Sequence, residues 1–415
     1  MRQLRTSGPG LKHLPFFEAL AEAGEGTPAF HAATAGLLTL RLVDHWVAIG
    51  PVMVEPESAS VSSARAAIMT LPANDPQREI LIGLVNTMQT LREVDVQPVL
   101  PRIFAFAGTL ERRGSLALAV DAYECVIRLG EESFDGELLI DSYLRAGYCW
   151  RALGSLPEAE RTYGIAEKMA KRCRQPARIF RSRIGLANVA VARGNLPNAD
   201  EMLGQIALES SSARCRSEHA MALHSRSVVA QRRGDLSRAV CLSYDALQIM
   251  DYSSERDRVL NDIGAYFIVM EKFDAARDAL LVLEATTTLE TVRSNAQVNL
   301  LALAARSDDR ASFEKLRERL DGRELLPETS VNYLIESARG HWRFGQPDLA
   351  TVLLERARGL AKAHGLNRSL FESENMLLEM ATELHYVSNQ TAADIRDPAA
   401  HVIQGLRLMA AAVAG

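Results

Sequence analysis

The chain has 415 residues, 47% of them hydrophobic and 24% charged, which supplies a large core and argues against wholesale disorder. A formal net charge of −5 excludes a protein that is basic overall. The charge is uneven, because residues 145–239 hold 17 Lys+Arg against 8 Asp+Glu, a local +9 that leaves −14 for the rest.

The first 26 residues, MRQLRTSGPGLKHLPFFEALAEAGEG, lack the continuous apolar core of a secretion signal. No stretch reaches the roughly 18 unbroken apolar residues of a membrane span, and the C-terminal LRLMAAAVAG is too short for one. Five cysteines (Cys125, Cys149, Cys173, Cys215 and Cys241) lie far apart with no Cys-x-x-Cys pair. That pattern suits buried or idle thiols in a reducing compartment, so a cytoplasmic protein without membrane insertion is expected.

Residues 27–48, 57–71 and 76–95 read as helices, the last with Leu81, Leu84, Met88 and Leu91 on one side. A short phrase then recurs, Gly-x-Leu-x-x-Ala, in ERRGSLALAV, RALGSLPEAE, VARGNLPNAD and QRRGDLSRAV. Its glycines, Gly114, Gly154, Gly194 and Gly234, are spaced by 40 residues, the mark of a solenoid. The residues before each glycine have helical spacing, and the glycine stops that helix where a left-handed backbone meets no Cβ clash. Ser115, Ser155, Asn195 or Asp235 follows as a candidate cap for a second helix, and SLPE at 155–158 reads as a capping box closed by Glu158. Pro157 and Pro197 sit in the first turn, where a missing N–H does no harm. Ala119, Ala159, Ala199 and Ala239 stand five residues past each glycine, small enough to let two helices approach closely.

This pattern resembles the tetratricopeptide repeat, which has small residues in both helices, a glycine near the turn and an aromatic or aliphatic residue in the second helix. The register continues through Leu260, Gly264, Phe267, Phe273, Ala276 and Leu280, with Glu271 in place of the turn glycine. It resumes at Leu334, Ala338, Gly345, Ala350, Leu354 and Ala357, whereas the unit in residues 291–320 lacks the glycine and has no settled register. Steps of 37 and 40 exceed the family's period of about 34 by about one and two helical turns. They resemble the long-helix variants of bacterial signal-transducing regulators. The resemblance implies an all-α, right-handed superhelical solenoid of antiparallel helix pairs, with about seven pairs in residues 96–364. Residues 1–95 would form an atypical helical cap, and residues 365–415 two capping helices that shield the end of the core. The last of these carries Val402, Leu406, Met409 and Val413 on one stripe.

Catalytic patterns are absent: there is no P-loop, no GxGxxG after a strand, no HExxH and no nucleophile elbow. Cys215, His219 and His224 fall short of the three or four convergent ligands of a zinc site and read as a half-buried cysteine and two surface histidines. Glu372 and Glu374 diverge on a helix and read as solvated surface. No enzyme, cofactor or metal is expected.

In the family the first helix of each pair lines a concave groove. Carried over by register, that groove includes Tyr148, Arg151, Arg181, Asn188, His224, Gln231, Arg232, Arg258, Asn261, Arg339 and Arg343, with Asn332 and Ile335 beside them. The family's carboxylate clamp is not matched, since Asn188 is suitably placed but its lysine partners are missing. Amides can hold an extended peptide backbone, and guanidinium groups can pair with acidic side chains. A solvated face or an internal ion pair is the competing reading of each arginine. The function expected is a non-enzymatic protein- or peptide-binding scaffold or adaptor for an extended, acidic segment. Two alternatives stand beside it: a sensory or regulatory subunit acting through a separate effector, and an RNA-binding repeat. The changing unit length and the scarcity of stacking aromatics argue against RNA. Oligomeric state is left open.

Overall fold

The computed structural model describes residues 12–131, 136–250, 254–323, 325–364, 366–382 and 399–414. Residues 1–11 of the N-terminal stretch and residues 383, 384 and 398 of the expected C-terminal helices lie outside them. Among the described residues there are twenty α-helices, one short 3-10 turn (Pro51–Val54) and no strand. None of these helices is long and apolar enough to cross a membrane.

The chain divides into two compact units, Met1–Arg193 and Gly194–Gly415. The first begins with α1 (Leu14–Glu22), which the sequence pattern does not announce, then α2 (Pro28–Ile49), α3 (Ala59–Met69) and α4 (Pro76–Thr90). The repeats follow as α5 (Leu100–Arg112), α6 (Leu116–Gly130), α7 (Gly136–Ala152), α8 (Leu156–Arg172) and α9 (Pro176–Ala192). From α4 to α9 each helix packs on the next. The second unit holds α10 (Leu196–Ser212), α11 (Arg216–Arg232), α12 (Leu236–Ile249), α13 (Ser254–Val269) and α14 (Phe273–Thr286). It continues with α15 (Glu290–Arg306), α16 (Arg310–Leu320), α17 (Pro327–Arg343), α18 (Pro347–Ala363), α19 (Asn367–Ala381) and α20 (Ala400–Ala414).

The turns explain the period. Gly114, Gly154, Gly194, Gly234 and Gly345 stand at φ 77–82°, the left-handed conformation the sequence calls for. The turns between repeats use the same geometry without glycine, at Arg174 (φ 53°) and Arg214 (φ 58°). Six-to-one backbone bonds close these turns, as in Ser155 N to Trp150 O and Gln175 N to Ala170 O, both 2.9 Å. Left-handed residues therefore recur every 20 positions from 154 to 234, and α7 to α11 are each 17 residues long. Glu271 (φ 57°) does take the place of the turn glycine, and Asp308 (φ 58°) supplies the missing turn of the unit in residues 291–320.

Three expected caps and the capping box are corrected. Ser115, Ser155 and Asn195 make no side-chain capping bond, and Glu158 binds Arg161 (Nε to Oε2, 3.0 Å) rather than closing a capping box. These residues stand at ψ 60–68°, well short of the extended value of an ordinary N-cap. Only charged residues overcome that geometry, drawn by the positive end of the helix. Asp235 accepts from Arg238 N at 3.1 Å and Asp309 from Ser312 N at 3.0 Å.

Ala119, Ala159, Ala199, Ala239, Ala276 and Ala350 are all fully buried, which is the close approach their size permits. In the unit turned by Asp308 that position is Phe313, and its ring occupies the space where a Cβ of Gly340 would stand. Tyr163 is treated likewise by Gly147 and Gly185, which flank its ring. Large and small residues trade places, and total volume is conserved.

α1 is tied down by charge as well as packing. Phe16 is buried and stacks on Phe106 with centroids 6.5 Å apart. His13, also buried, lies 2.5 Å from Asp121 (Nδ1 to Oδ2) and 3.3 Å from Asp44 (Nε2 to Oδ2). Burial alone would lower its pKa, but the two carboxylates outweigh it and raise the value to about 9.

At the other end α19 packs on α18 and α17 and continues the stack. α20 departs from the capping expectation, because it returns to lie on α14 and α12 instead of extending the stack beyond α19. Val402 and Leu406 are buried there and Met409 is partly buried, but Val413 is exposed, so the stripe is shorter than expected.

The left-handed turns give a signed test. Glu271→Gly should stabilise the chain by about 1 kcal/mol by relieving the Cβ clash, and Gly194→Ala should destabilise it by about as much. Shifts in urea midpoint read both. Because His13 has a raised folded pKa, its contribution is complete below pH 6.5 and is lost as pH rises through about 9. The urea midpoint should therefore fall more between pH 7 and pH 10 in the wild type than in His13→Gln.

Candidate functional site

In a stack of hairpins the first helix of each pair repeats one face at a fixed step, so polar residues on that face meet their counterparts 33 to 40 positions away. Most of these meetings are ion pairs. Arg178 binds Asp141 through two nitrogens at 2.9 and 2.8 Å, and Arg145 binds Glu111. Between neighbouring helices, Arg226 of α11 and Arg238 of α12 likewise share Asp200 of α10, at 2.9 and 3.0 Å. An arginine engaged in this way is a structural fastening before it is a binding group.

Several groove candidates are used in this manner. Arg343 makes two bonds to Asp308, at 2.5 and 2.7 Å. Arg339 lies between Glu336 (3.1 Å) and Glu372 (3.0 Å), so Glu372 is a partner and not merely solvated surface. His224 Nε2 is 2.8 Å from Asp262 Oδ2, and His219 Nδ1 is 2.8 Å from Ala207 O, so these histidines turn to different partners. Arg151 and Arg145 lie 5.4 and 5.6 Å from the centroid of Tyr148 and hold its half-buried ring between them. Arg181, Arg232 and Arg258 are exposed, while Asn188 and Gln231 are half-buried.

One stretch of the face is different. α13 packs along α15, and α15 along α17. Between them lies a cavity of about 220 Å³ lined by Asn261, Asn295, Val298, Asn299, Glu328, Thr329 and Asn332. Asn299 donates Nδ2 to Asn261 Oδ1 at 2.8 Å, and Thr329 donates to Asn295 Oδ1 at 2.6 Å. Those two bonds leave the Nδ2 groups of Asn261 and Asn295, the Oδ1 of Asn299 and the whole amide of Asn332 available to a ligand. No cationic side chain lines the cavity, and Glu328 is its one carboxylate.

Of the eleven groove residues expected from the register only Asn261 enters this cavity, with His224 joined through Asp262 one residue away. Asn295 and Asn299 escaped the sequence reading because no glycine marks their unit, while Glu328 and Thr329 stand in the unit of Gly345 at positions the carried-over register does not include. The signal is present once Asp308 is recognised as the turn. Counting back thirteen and ten residues from Glu271, Asp308 and Gly345 gives Arg258 and Asn261, Asn295 and Val298, Asn332 and Ile335.

No family model matches the chain, and no curated protein sequence does. Solved structures do share its architecture. A Rap protein complexed with competence and sporulation factor is 12% identical, with 80% of this chain and 99% of that one covered and a TM-score of 0.52. The Rap conjugation gene regulator of the plasmid pLS20, in complex with the Phr* peptide, is 11% identical, with 81% and 97% covered and a TM-score of 0.53. The chain is a tetratricopeptide-like helical repeat protein that resembles bacterial Rap regulators. At such identities the Rap likeness is one of fold.

The asparagines divide into supporting and spare groups. Asn299→Leu removes the donor to Asn261 and should cost about 1 kcal/mol of stability. Asn332→Ala removes no protein bond and should stay within about 0.5 kcal/mol of wild type in the same denaturation assay.

Proposed function

We propose that the chain is a non-enzymatic cytoplasmic scaffold or regulatory subunit that holds an extended peptide segment along the first helices of its repeats. In this reading residues 96–364 are the binding array, and residues 1–95 and 365–415 are accessory helices. The observation that carries it is the asparagine-lined cavity on α13, α15 and α17, with amide groups left unpaired. A peptide backbone presents one N–H and one C=O at nearly every residue, and a carboxamide can answer either. The spare amides are half-buried or, at Asn332, exposed, so an extended segment can replace the water that serves them. The Rap structures of the same fold point the same way, one in complex with the Phr* peptide and one with competence and sporulation factor.

The charge of the bound segment is revised from the acidic expectation. Arg339 and Arg343 are engaged with Glu336, Glu372 and Asp308, and the cavity itself contributes a carboxylate and no cation. The segment held there is neutral or carries a positive group facing Glu328. The regulatory alternative fits this reading, with the peptide as the signal and a separate effector as the output.

A random-sequence hexapeptide mixture with free termini, passed over the immobilised full-length chain, is the direct assay. Specific sequences should be enriched, poor in Asp and Glu. Asn295→Ala with Asn332→Ala should weaken the enriched peptides at least tenfold, about 1.4 kcal/mol, while the lost Thr329 bond lowers stability by about 1 kcal/mol and leaves the chain folded. Retention of no peptide, or retention indifferent to both substitutions, overturns the reading.

A further inference from the structure

α20 breaks the order of the stack. From α10 to α15 each helix packs on the next, but α20 lies across α14 and α12, the second helices of two successive hairpins. Its buried side is made by Ala399, Val402 and Leu406, which join the core of those hairpins. The fit is specific. Tyr244 of α12 stands where a Cβ on Gly405 would be, and its ring meets His401 edge-on at 5.9 Å. Arg407 faces Asp278 of α14 as a complementary charge.

Across the joint that α20 spans, α12 packs on α13, while α11 and α13 meet through the His224–Asp262 bond of 2.8 Å, an interaction of Ser227 with Tyr266 and a shared apolar core. Farther on, α13 packs along α15 and α15 along α17. Asp262 adjoins Asn261, the first asparagine of the cavity. Because α11–α12 and α13–α14 are each tightly packed hairpins, a displacement of α12 from α14 moves α11 from α13. The helix docked on one side therefore adds to the α12–α13 contact in setting the spacing on the other.

We infer that α20 is a cis-docked regulatory strap: seated on α12 and α14, it holds the α11–α13 joint at the spacing the asparagine groove requires, and its release weakens ligand binding. The inference rests on the peptide-binding reading for its consequence, but its mechanical half stands on packing alone. By thermodynamic linkage, a ligand held in the groove also favours the docked strap.

Gly405→Leu in the full-length chain is the test, because any larger side chain collides with Tyr244. Tyr244→Ala added to Gly405→Leu restores the space and serves as the rescue. Hydrogen exchange is read in α20, in α11 and α13, and in α19 as a control for folding. The enriched hexapeptides, taken from the random mixture, are the ligand probe. With Gly405→Leu, α20 should lose protection, α11 and α13 should exchange at least fivefold faster, α19 should be unchanged, and hexapeptide affinity should fall at least threefold. The double variant should reverse these changes. Unchanged exchange in α11 and α13 with α20 released overturns the strap, as does an α20 that stays protected in Gly405→Leu. Faster exchange with unchanged affinity overturns its regulatory role. If the wild type retains no hexapeptide, the peptide reading fails separately, and the exchange data still decide the mechanical claim.

Discussion

Close approach between neighbouring helices is the constraint on which this molecule depends. A hairpin can stack on the next only where a side chain is small enough to let the backbones near each other, and the buried alanines five residues past each turn meet that need. The left-handed turn residue sets where the second helix begins, so it determines which residue falls at the contact. Turn and notch are therefore one device. Where the notch holds Phe313, Gly340 on the facing helix supplies the missing space. Dense packing allows exchange of volume between partners but not its loss.

A second consequence of regular stacking is that polar residues meet across a fixed interval. Along most of the array the meeting is an ion pair, which locks one repeat to its neighbour and uses up the arginines that would otherwise attract an acidic ligand. The asparagine stretch on α13, α15 and α17 does not follow this pattern. Its amides bond one another only in part, and what they leave over is what an extended backbone can use. Specificity here arises from an incomplete ladder, in a region where charge is sparse.

The helices at the two ends are held in place by different forces. α1 is bound to the first repeats by a buried histidine between two aspartates, a contact whose strength depends on protonation. α20 is bound by shape, through the absence of a side chain at Gly405. One is a fastening at the edge of the first unit. The other crosses a joint within the second, close to the cavity.

Taken alone, the sequence determined the helical class, the hairpin period, the glycine turns and the buried alanines. Each of these is a local requirement, met by one residue type at one backbone position, and so leaves a readable mark. The asparagine site was half legible: Asn261 and Asn332 followed from the register, while Asn295 and Asn299 were hidden behind a turn made by Asp308 instead of glycine. Only the tertiary structure decided that Arg174, Arg214 and Asp308 take left-handed turns, since packing on both sides imposes a conformation their own chemistry disfavours. It also decided which carboxylate each groove arginine meets, that His13 anchors α1, and that α20 folds back onto α12 and α14. Those outcomes depend on partners 30 to more than 100 residues away, and an amphipathic stripe states that a helix must be covered without stating by what.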